Sequence, residues 1–181
     1  LLSKHPDIDM ISFTGSTRAG ISVSKNAADT VKRVTLELGG KSPNLVFADC
    51  DLEQRVKEAV LECFSNSGQS CDAPTRLLVE KSCYEEVIKI ARKAAENQMV
   101  DDPYKPGNHI GPLFDKIQFI RVQNMIKFGI EEGAKILIGG LGKPEGFERG
   151  WYVKPTIFYD VNNQMKVARE EIFGPVLVII P

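Results

Sequence analysis

The 181-residue sequence has few cysteines and histidines, and they do not form the short pairs that hold structural metal ions. Its four cysteines lie far apart with no C-x-x-C pair, and only His5 and His109 could join them. Structural zinc sites usually carry paired ligands at short spacing, so the sequence predicts no metal site. Separated cysteines in a chain of this size do not build a disulfide scaffold either, and we expect reduced thiols in a cytoplasmic protein.

The sequence also lacks a strong charge of one sign and a long apolar run. Its formal net charge is −1, with 26% charged and 43% hydrophobic residues. This balance offers no basic surface to a nucleic-acid backbone, and no segment has the length of a membrane span. We therefore expect neither a nucleic acid nor a membrane as a partner.

The two ends of the chain are unusual. It opens at Leu1 without a methionine or a targeting pattern, and it stops just after the apolar run 176–180. Such a run is typical of a buried strand with more chain to follow, so we expect a fragment of a longer polypeptide.

Apolar, β-favouring segments alternate with amphipathic ones, which predicts an α/β fold with a largely parallel sheet flanked by helices. Strands are predicted at 10–13, 31–38, 44–47, 76–80, 134–138, 151–159 and 176–180. Helices are predicted at 16–28, 51–64, 82–97 and 117–132. A capping box between Ser82 and Glu85 is predicted to open the third helix. The stretches 99–115 and 139–150 are predicted to be loops.

The first segment that could carry chemistry is F-T-G-S-T-R-A-G, residues 13–20. A strand, a glycine turn and a helix start would place backbone N–H groups where a pyrophosphate binds, aided by the helix dipole. Such turns are common without any ligand, so the pattern alone is a weak indication. Gly15 and Gly20 have P-loop spacing, but Ile21 follows where a nucleoside-triphosphate site needs lysine.

Glu37 lies in the second segment, L-E-L-G-G-K-S-P, residues 36–43. Strand alternation puts Leu36 and Leu38 on one face and Glu37 on the other, beside a glycine pair that permits close approach of the backbone. One interpretation is a general base tuned by a partly buried site. The other is a glutamate paired with Lys41 at a strand end, which this segment alone favours.

Cys71 lies in the third segment, N-S-G-Q-S-C-D-A-P, residues 66–74. A polar, glycine-containing loop presents a thiolate to ligands, whereas Cys63 lies on the apolar side of a helix and is typical of a core. A Cys–His hydrolase would need the distant His5 or His109. A lone loop cysteine is more often incidental than catalytic, so both interpretations stay open here.

The fourth segment is E-E-I-F-G-P-V, residues 170–176. Two acids before an aromatic residue and a Gly-Pro turn could hold sugar hydroxyls, with the ring against a planar group. The alternative is a solvated helix end followed by a chain reversal, which the segment alone favours.

Together these segments resemble the aldehyde dehydrogenase superfamily, in sequence and in order, over essentially the whole chain. That family has G-S-T-x-x-G, E-L-G-G-K-S-P, G-Q-x-C and E-E-I-F-G-P-V segments, found here at 15–20, 37–43, 68–71 and 170–176. The resemblance implies that residues 1–38 end an NAD(P)-binding domain. It implies that residues 39–181 form most of a catalytic domain that is truncated at its C-terminus.

The resemblance also implies the chemistry. Cys71 would attack an aldehyde substrate, giving a thiohemiacetal and then a thioester, with its own backbone N–H in the oxyanion hole. Glu37 would activate the water that releases a carboxylic acid, and its presence favours hydrolysis over acyl transfer to coenzyme A. The cofactor would be NAD or NADP, contacted by Gly15, Ser16, Gly20, Leu38, Gly39, Gln118, Glu171 and Phe173.

The family segments that supply most of the cofactor fold have no counterpart in this sequence. We therefore expect this stretch alone to be inactive and to bind NAD weakly or not at all, and the full-length protein to be a homo-oligomer. Two alternatives remain: a non-catalytic, aldehyde-dehydrogenase-like structural protein, and a Cys-dependent hydrolase. The presence of both Cys71 and Glu37 argues against the first, because a structural role does not require them.

Overall fold

The structure, a computed structural model, describes residues 1–181 and divides into two compact units, Leu1–Gly40 and Lys41–Pro181. The predicted domain boundary at residue 38 lies close to this division. The assignment of each part to a domain of a longer enzyme stays a prediction.

The first unit is a β–α–β arrangement. Its elements are β1 (Met10–Gly15), α1 (Thr17–Ala27) and β2 (Arg33–Leu38). The two strands pair in parallel, with Thr14 opposite Glu37 and Gly15 opposite Leu38. Both strands therefore end at the same edge of this small sheet.

The second unit is built on a five-stranded sheet with the strand order β3-β4-β7-β6-β5. Its strands are β3 (Pro43–Val46), β4 (Arg76–Val79), β5 (Lys135–Ile138), β6 (Thr156–Tyr159) and β7 (Val176–Ile180). Only the pairing of β5 with β6 is antiparallel. The predicted α/β fold with a largely parallel sheet is confirmed.

Four helices accompany the sheet of the second unit. They are α2 (Leu52–Phe64), α3 (Tyr84–Glu96), α4 (Lys116–Glu131) and the short α5 (Lys166–Arg169). None of the helices is both long enough and apolar enough to cross a membrane.

The central strand β7 separates two hydrophobic clusters. All five of its residues are buried, because both of its faces are covered. Leu177 and Ile179 belong to a cluster with residues of α2 and α3, whereas Val176, Val178 and Ile180 belong to a cluster with residues of α4. Strand alternation thus packs one strand into both cores.

Two local sequence predictions were wrong. The side chain of Ser82 does not cap α3: the cap residue is Cys83, without a side-chain capping bond, and the Ser82 hydroxyl donates to the carboxylate of Glu80 instead. A 3₁₀ turn at Lys81–Cys83 has displaced the start of the helix from Ser82. The predicted strand 151–159 is paired only over Thr156–Tyr159.

Candidate active site

The loop between β1 and α1 forms the first part of the candidate site. Ser16 is the N-cap residue of α1, and its Oγ accepts a hydrogen bond of 3.3 Å from the N–H of Ala19. The first backbone N–H groups of a helix have no partners within the helix, and the helix dipole adds positive charge there. This end of α1 is therefore suited to an anionic group such as a phosphate.

Gly20 brings α1 close to the end of β2. A β-carbon at Gly20 would lie 2.7 Å from Cδ2 of Leu38, so any side chain at this position would push Leu38 aside. Gly15 pairs with Leu38 across the sheet. The structure thus groups Gly15, Ser16, Gly20 and Leu38 at one edge of the first unit, with Gly39 following directly.

Glu37 lies near the end of β2 and is exposed, so the partly buried setting expected for a tuned general base is not found in this structure. Along this strand Val34, Leu36 and Leu38 are half-buried, whereas Thr35 and Glu37 are exposed. The predicted alternation, with the glutamate on the face opposite the leucines, is confirmed.

In the second unit, three sequence segments meet at one edge of the sheet. Lys41 precedes β3, Cys71 precedes β4 and the 171–174 segment precedes β7. These three strands are parallel neighbours, so their starting ends lie side by side. Arg76 reinforces this edge, since its Nη2 donates to the carbonyl of Lys41 at 3.2 Å.

Residues 65–75, between α2 and β4, form the loop that carries Cys71, and the backbone of this loop is unusual. Asn66, Ser67 and Gly68 all have positive φ angles of 50°, 59° and 68°. The hydroxyl of Ser67 donates to the carbonyl of Gly111 at 2.9 Å, which ties this turn to the 99–115 loop. The thiol of Cys71 follows on the exposed surface of the loop.

Cys63 differs sharply from Cys71. It lies fully buried in the cluster around α2, as the sequence indicated. Burial raises the pKa of the Cys63 thiol to about 12, with the positive charge of Lys41 acting in the opposite direction. Cys63 therefore stays a neutral thiol and cannot serve as a thiolate nucleophile.

The Cys71 loop touches the 171–175 segment through backbone atoms. A β-carbon at Gly68 would lie 2.1 Å from the carbonyl oxygen of Gly174. The two main chains can approach this closely only because residue 68 is glycine. Two of the four family-like segments are therefore in direct contact.

The 171–174 segment is held by α4. Gln118 is 5% exposed, and its Nε2 donates to the carbonyls of Ile172 at 2.9 Å and Phe173 at 2.8 Å. Nη2 of Arg121 donates to the carbonyl of Glu171 at 2.7 Å. Sequence reasoning missed Arg121 and this use of Gln118, because the sequence shows where a helix starts but not which loop its side chains meet.

The sequence also did not indicate the environment of Lys41. Its Nζ is buried and has no hydrogen-bond partner. Burial lowers the pKa of Lys41 to about 8, partly offset by Cys63 and by the carboxylate of Glu171. An unpaired ammonium in this position is unfavourable.

No cluster of three or more His, Cys, Asp or Glu side chains that could hold a metal ion is formed.

Comparison with known proteins assigns the family. The sequence pattern of the aldehyde dehydrogenase family matches residues 1–181, and the chain belongs to this family. It is 53% identical over 180 residues to 3-succinoylsemialdehyde-pyridine dehydrogenase from Pseudomonas sp., covering 99% of this chain and 38% of that protein. The chain therefore spans well under half the length of this relative.

Solved structures agree with this assignment. An aldehyde dehydrogenase from Bartonella henselae matches with a TM-score of 0.97 and 55% identity, over 99% of this chain and 38% of that one. Aldehyde dehydrogenase C from Pseudomonas syringae, a cysteine-to-alanine variant in complex with NAD⁺ and octanal, matches with a TM-score of 0.96 and 50% identity. That match covers 99% of this chain and 37% of the other.

Replacing Gly68 with alanine tests the contact between the two loops. We expect Gly68→Ala to lower the free energy of unfolding by about 2–4 kcal/mol, from the left-handed conformation together with the overlap with Gly174. The control is Gly133→Ala, where φ is also positive but nothing lies within 4 Å of the added carbon. It should lose only about 1–2 kcal/mol in denaturant unfolding. Equal losses in the two variants would show that the loop contact contributes nothing.

Replacing Lys41 with methionine tests the buried amine. The folded-state pKa of about 8 lies below the ordinary 10.5, so burial of the charged form destabilises the fold fully below pH 8 and progressively less toward pH 10.5. We expect Lys41→Met to raise the free energy of unfolding at pH 7 by up to about 3 kcal/mol.

The advantage of Lys41→Met should shrink as the pH rises from 8 to 10, when the lysine of the original protein loses its proton. Urea unfolding of both proteins across this range measures the difference. Lys81→Met, at an exposed lysine, is the control. If the difference in the free energy of unfolding between the two proteins did not change with pH, the lowered pKa of Lys41 would be contradicted.

Proposed function

We propose that the protein containing this chain oxidises an aldehyde to a carboxylic acid, with NAD or NADP as the hydride acceptor. The observation that carries the proposal is the exposed thiol of Cys71. It follows a turn with left-handed backbone angles, and the backbone of this turn contacts the 171–175 segment. Membership of the aldehyde dehydrogenase family supports it.

In this proposal Cys71 is the nucleophile. Its sulfur forms a bond to the carbonyl carbon of the aldehyde, and the carbonyl oxygen gains negative charge that the backbone N–H of Cys71 helps to stabilise. Loss of hydride from that carbon converts the thiohemiacetal to a thioester on Cys71. Cys71 is exposed in the loop that precedes β4, which favours this role because the thiol is open to a substrate.

Glu37 is the proposed general base. It would take a proton from water, which then attacks the thioester carbon and breaks its bond to sulfur. The acid is released and Cys71 returns to its starting form. Glu37 is exposed near the end of β2, so its carboxylate is open to the water that it would activate.

The residues of the chain fit a dinucleotide cofactor. Gly15, Ser16 and Gly20 would hold its phosphates at the start of α1, where a side chain larger than glycine at position 20 would collide with Leu38. We propose Leu38 and Gly39 on the nicotinamide side, and Glu171 and Phe173 at the nicotinamide ribose. When bound, the oxidised nicotinamide accepts the hydride that leaves the aldehyde carbon.

The substrate class follows from the relatives. The Pseudomonas relative is named for a semialdehyde, and the Pseudomonas syringae structure contains octanal. Both support an aldehyde as the substrate here.

Substitution of Cys71 and Glu37 tests these roles. In the full-length protein, we expect Cys71→Ser to lower aldehyde-dependent NADH formation by at least about 10³-fold and to abolish the acyl-enzyme, because an alcohol is a far weaker nucleophile. Glu37→Gln should keep a rapid first turnover but slow the steady-state rate by roughly 10²–10⁴-fold. Stopped-flow absorbance and mass spectrometry of the trapped thioester measure the two steps.

The matched controls are Cys50→Ser and Glu145→Gln, at exposed positions outside the four segments. Both should keep the original rates. Full activity in Cys71→Ser would refute the nucleophile assignment. Replacing His5 and His109 separately distinguishes a Cys–His hydrolase, since only that enzyme would lose activity.

A further inference from the structure

Three successive backbone carbonyls before β7 receive hydrogen bonds from one helix. Arg121 donates to the carbonyl of residue 171, and Gln118 donates to those of residues 172 and 173. Gln118 and Arg121 are three positions apart on α4, so they lie on the same face of that helix. Val122 completes this face, since its side chain packs against Gly174.

Phe173 needs such support because of its backbone conformation. Its φ angle is +57°, in the left-handed region that is unfavourable for a bulky residue. Residues of this kind persist when the surrounding structure fixes them. The hydrogen bond from Gln118 to the carbonyl of Phe173 acts directly on the strained residue.

Gln118 is itself fixed in place. It is the third residue of α4, and its N–H donates to the Asp115 carboxylate, the helix cap, at 2.7 Å. In a capping box, the side chain of a glutamine at this position reaches back to the cap residue. Here the amide group turns to the 172–173 backbone and uses its N–H donors there.

We propose that Gln118 is a positioning residue for the cofactor: it holds Phe173 in its left-handed conformation instead of contacting the cofactor directly. This inference rests on the proposed function, in which Phe173 lies at the nicotinamide ribose. Arg121, which is exposed, assists by donating a hydrogen bond to the carbonyl of Glu171.

The first test uses the cofactor-free protein and the variant Gln118→Met, which keeps the volume of the side chain and removes its donors. Amide hydrogen exchange in residues 171–176 should become at least about 10-fold faster, because the carbonyls of Ile172 and Phe173 lose their partners. Arg121→Met removes one exposed bond without threatening the fold and should produce a smaller increase in the same peptide.

The control is Gln123→Met on the same helix. The side chain of Gln123 accepts from the N–H of Gly142 and makes no bond to the 171–174 segment. This variant should leave exchange in residues 171–176 unchanged. Unaltered exchange in Gln118→Met would overturn the inference, whatever the activity of the protein.

A double-mutant cycle with Phe173→Ala separates positioning from direct contact. We expect Gln118→Met to raise the Kd for NAD⁺ by about 10-fold in the original protein and by less than about 2-fold when Phe173 is already alanine. Additive effects would mean that Gln118 contacts the cofactor itself. Failure of the unsubstituted full-length protein to bind either NAD⁺ or NADP⁺ would instead refute the proposed function. The exchange experiment would still decide whether Gln118 holds the segment.

Discussion

The hydrogen-bond ladder around β7 is the interaction on which the candidate site of the second unit depends. This ladder continues past the starting ends of the strands. The N–H of Val178 donates to the carbonyl of Thr75 at 3.0 Å, and the N–H of Thr156 donates to that of Pro175 at 2.9 Å. Thr75 is the last residue before β4, and Pro175 lies between the 171–174 segment and β7. The register of three strands therefore fixes where both loops end and how closely they approach each other.

The alternation of apolar residues explains why the sheet and helices could be predicted. β7 is apolar at every position, and α2 repeats its buried residues at helical spacing. Such patterns predict burial, because apolar residues occupy the positions that face the core and polar residues occupy those that face solvent. They also predicted that Cys63 would be buried and that Glu37 would face away from Leu36 and Leu38.

The errors and omissions have a different physical origin. Ser82 had the sequence of a capping residue, yet its hydroxyl found the nearby carboxylate of Glu80. Gln118 had no sequence pattern to reveal that its amide would bind the 172–173 backbone, 54 and 55 positions along the chain. Local sequence specifies which groups a side chain offers, whereas the tertiary fold determines which partners it meets. The burial of Lys41 was hidden for the same reason.

Unfavourable backbone angles and an unfavourably buried amine concentrate at one edge of the five-stranded sheet, where β3, β4 and β7 begin. Of the five non-glycine residues with positive φ, three lie in the two loops that meet there: Asn66, Ser67 and Phe173. The unpaired amine of Lys41 lies at the same edge. Each departure is individually unfavourable, so the packed sheet must supply the stability that maintains it. Because sites that bind and react need geometries that an unstrained loop does not adopt, this concentration supports the assignment of the edge as a functional region. Cys63 and Cys71 show the consequence: the core keeps one thiol neutral, while the strained loop leaves the other accessible for chemistry.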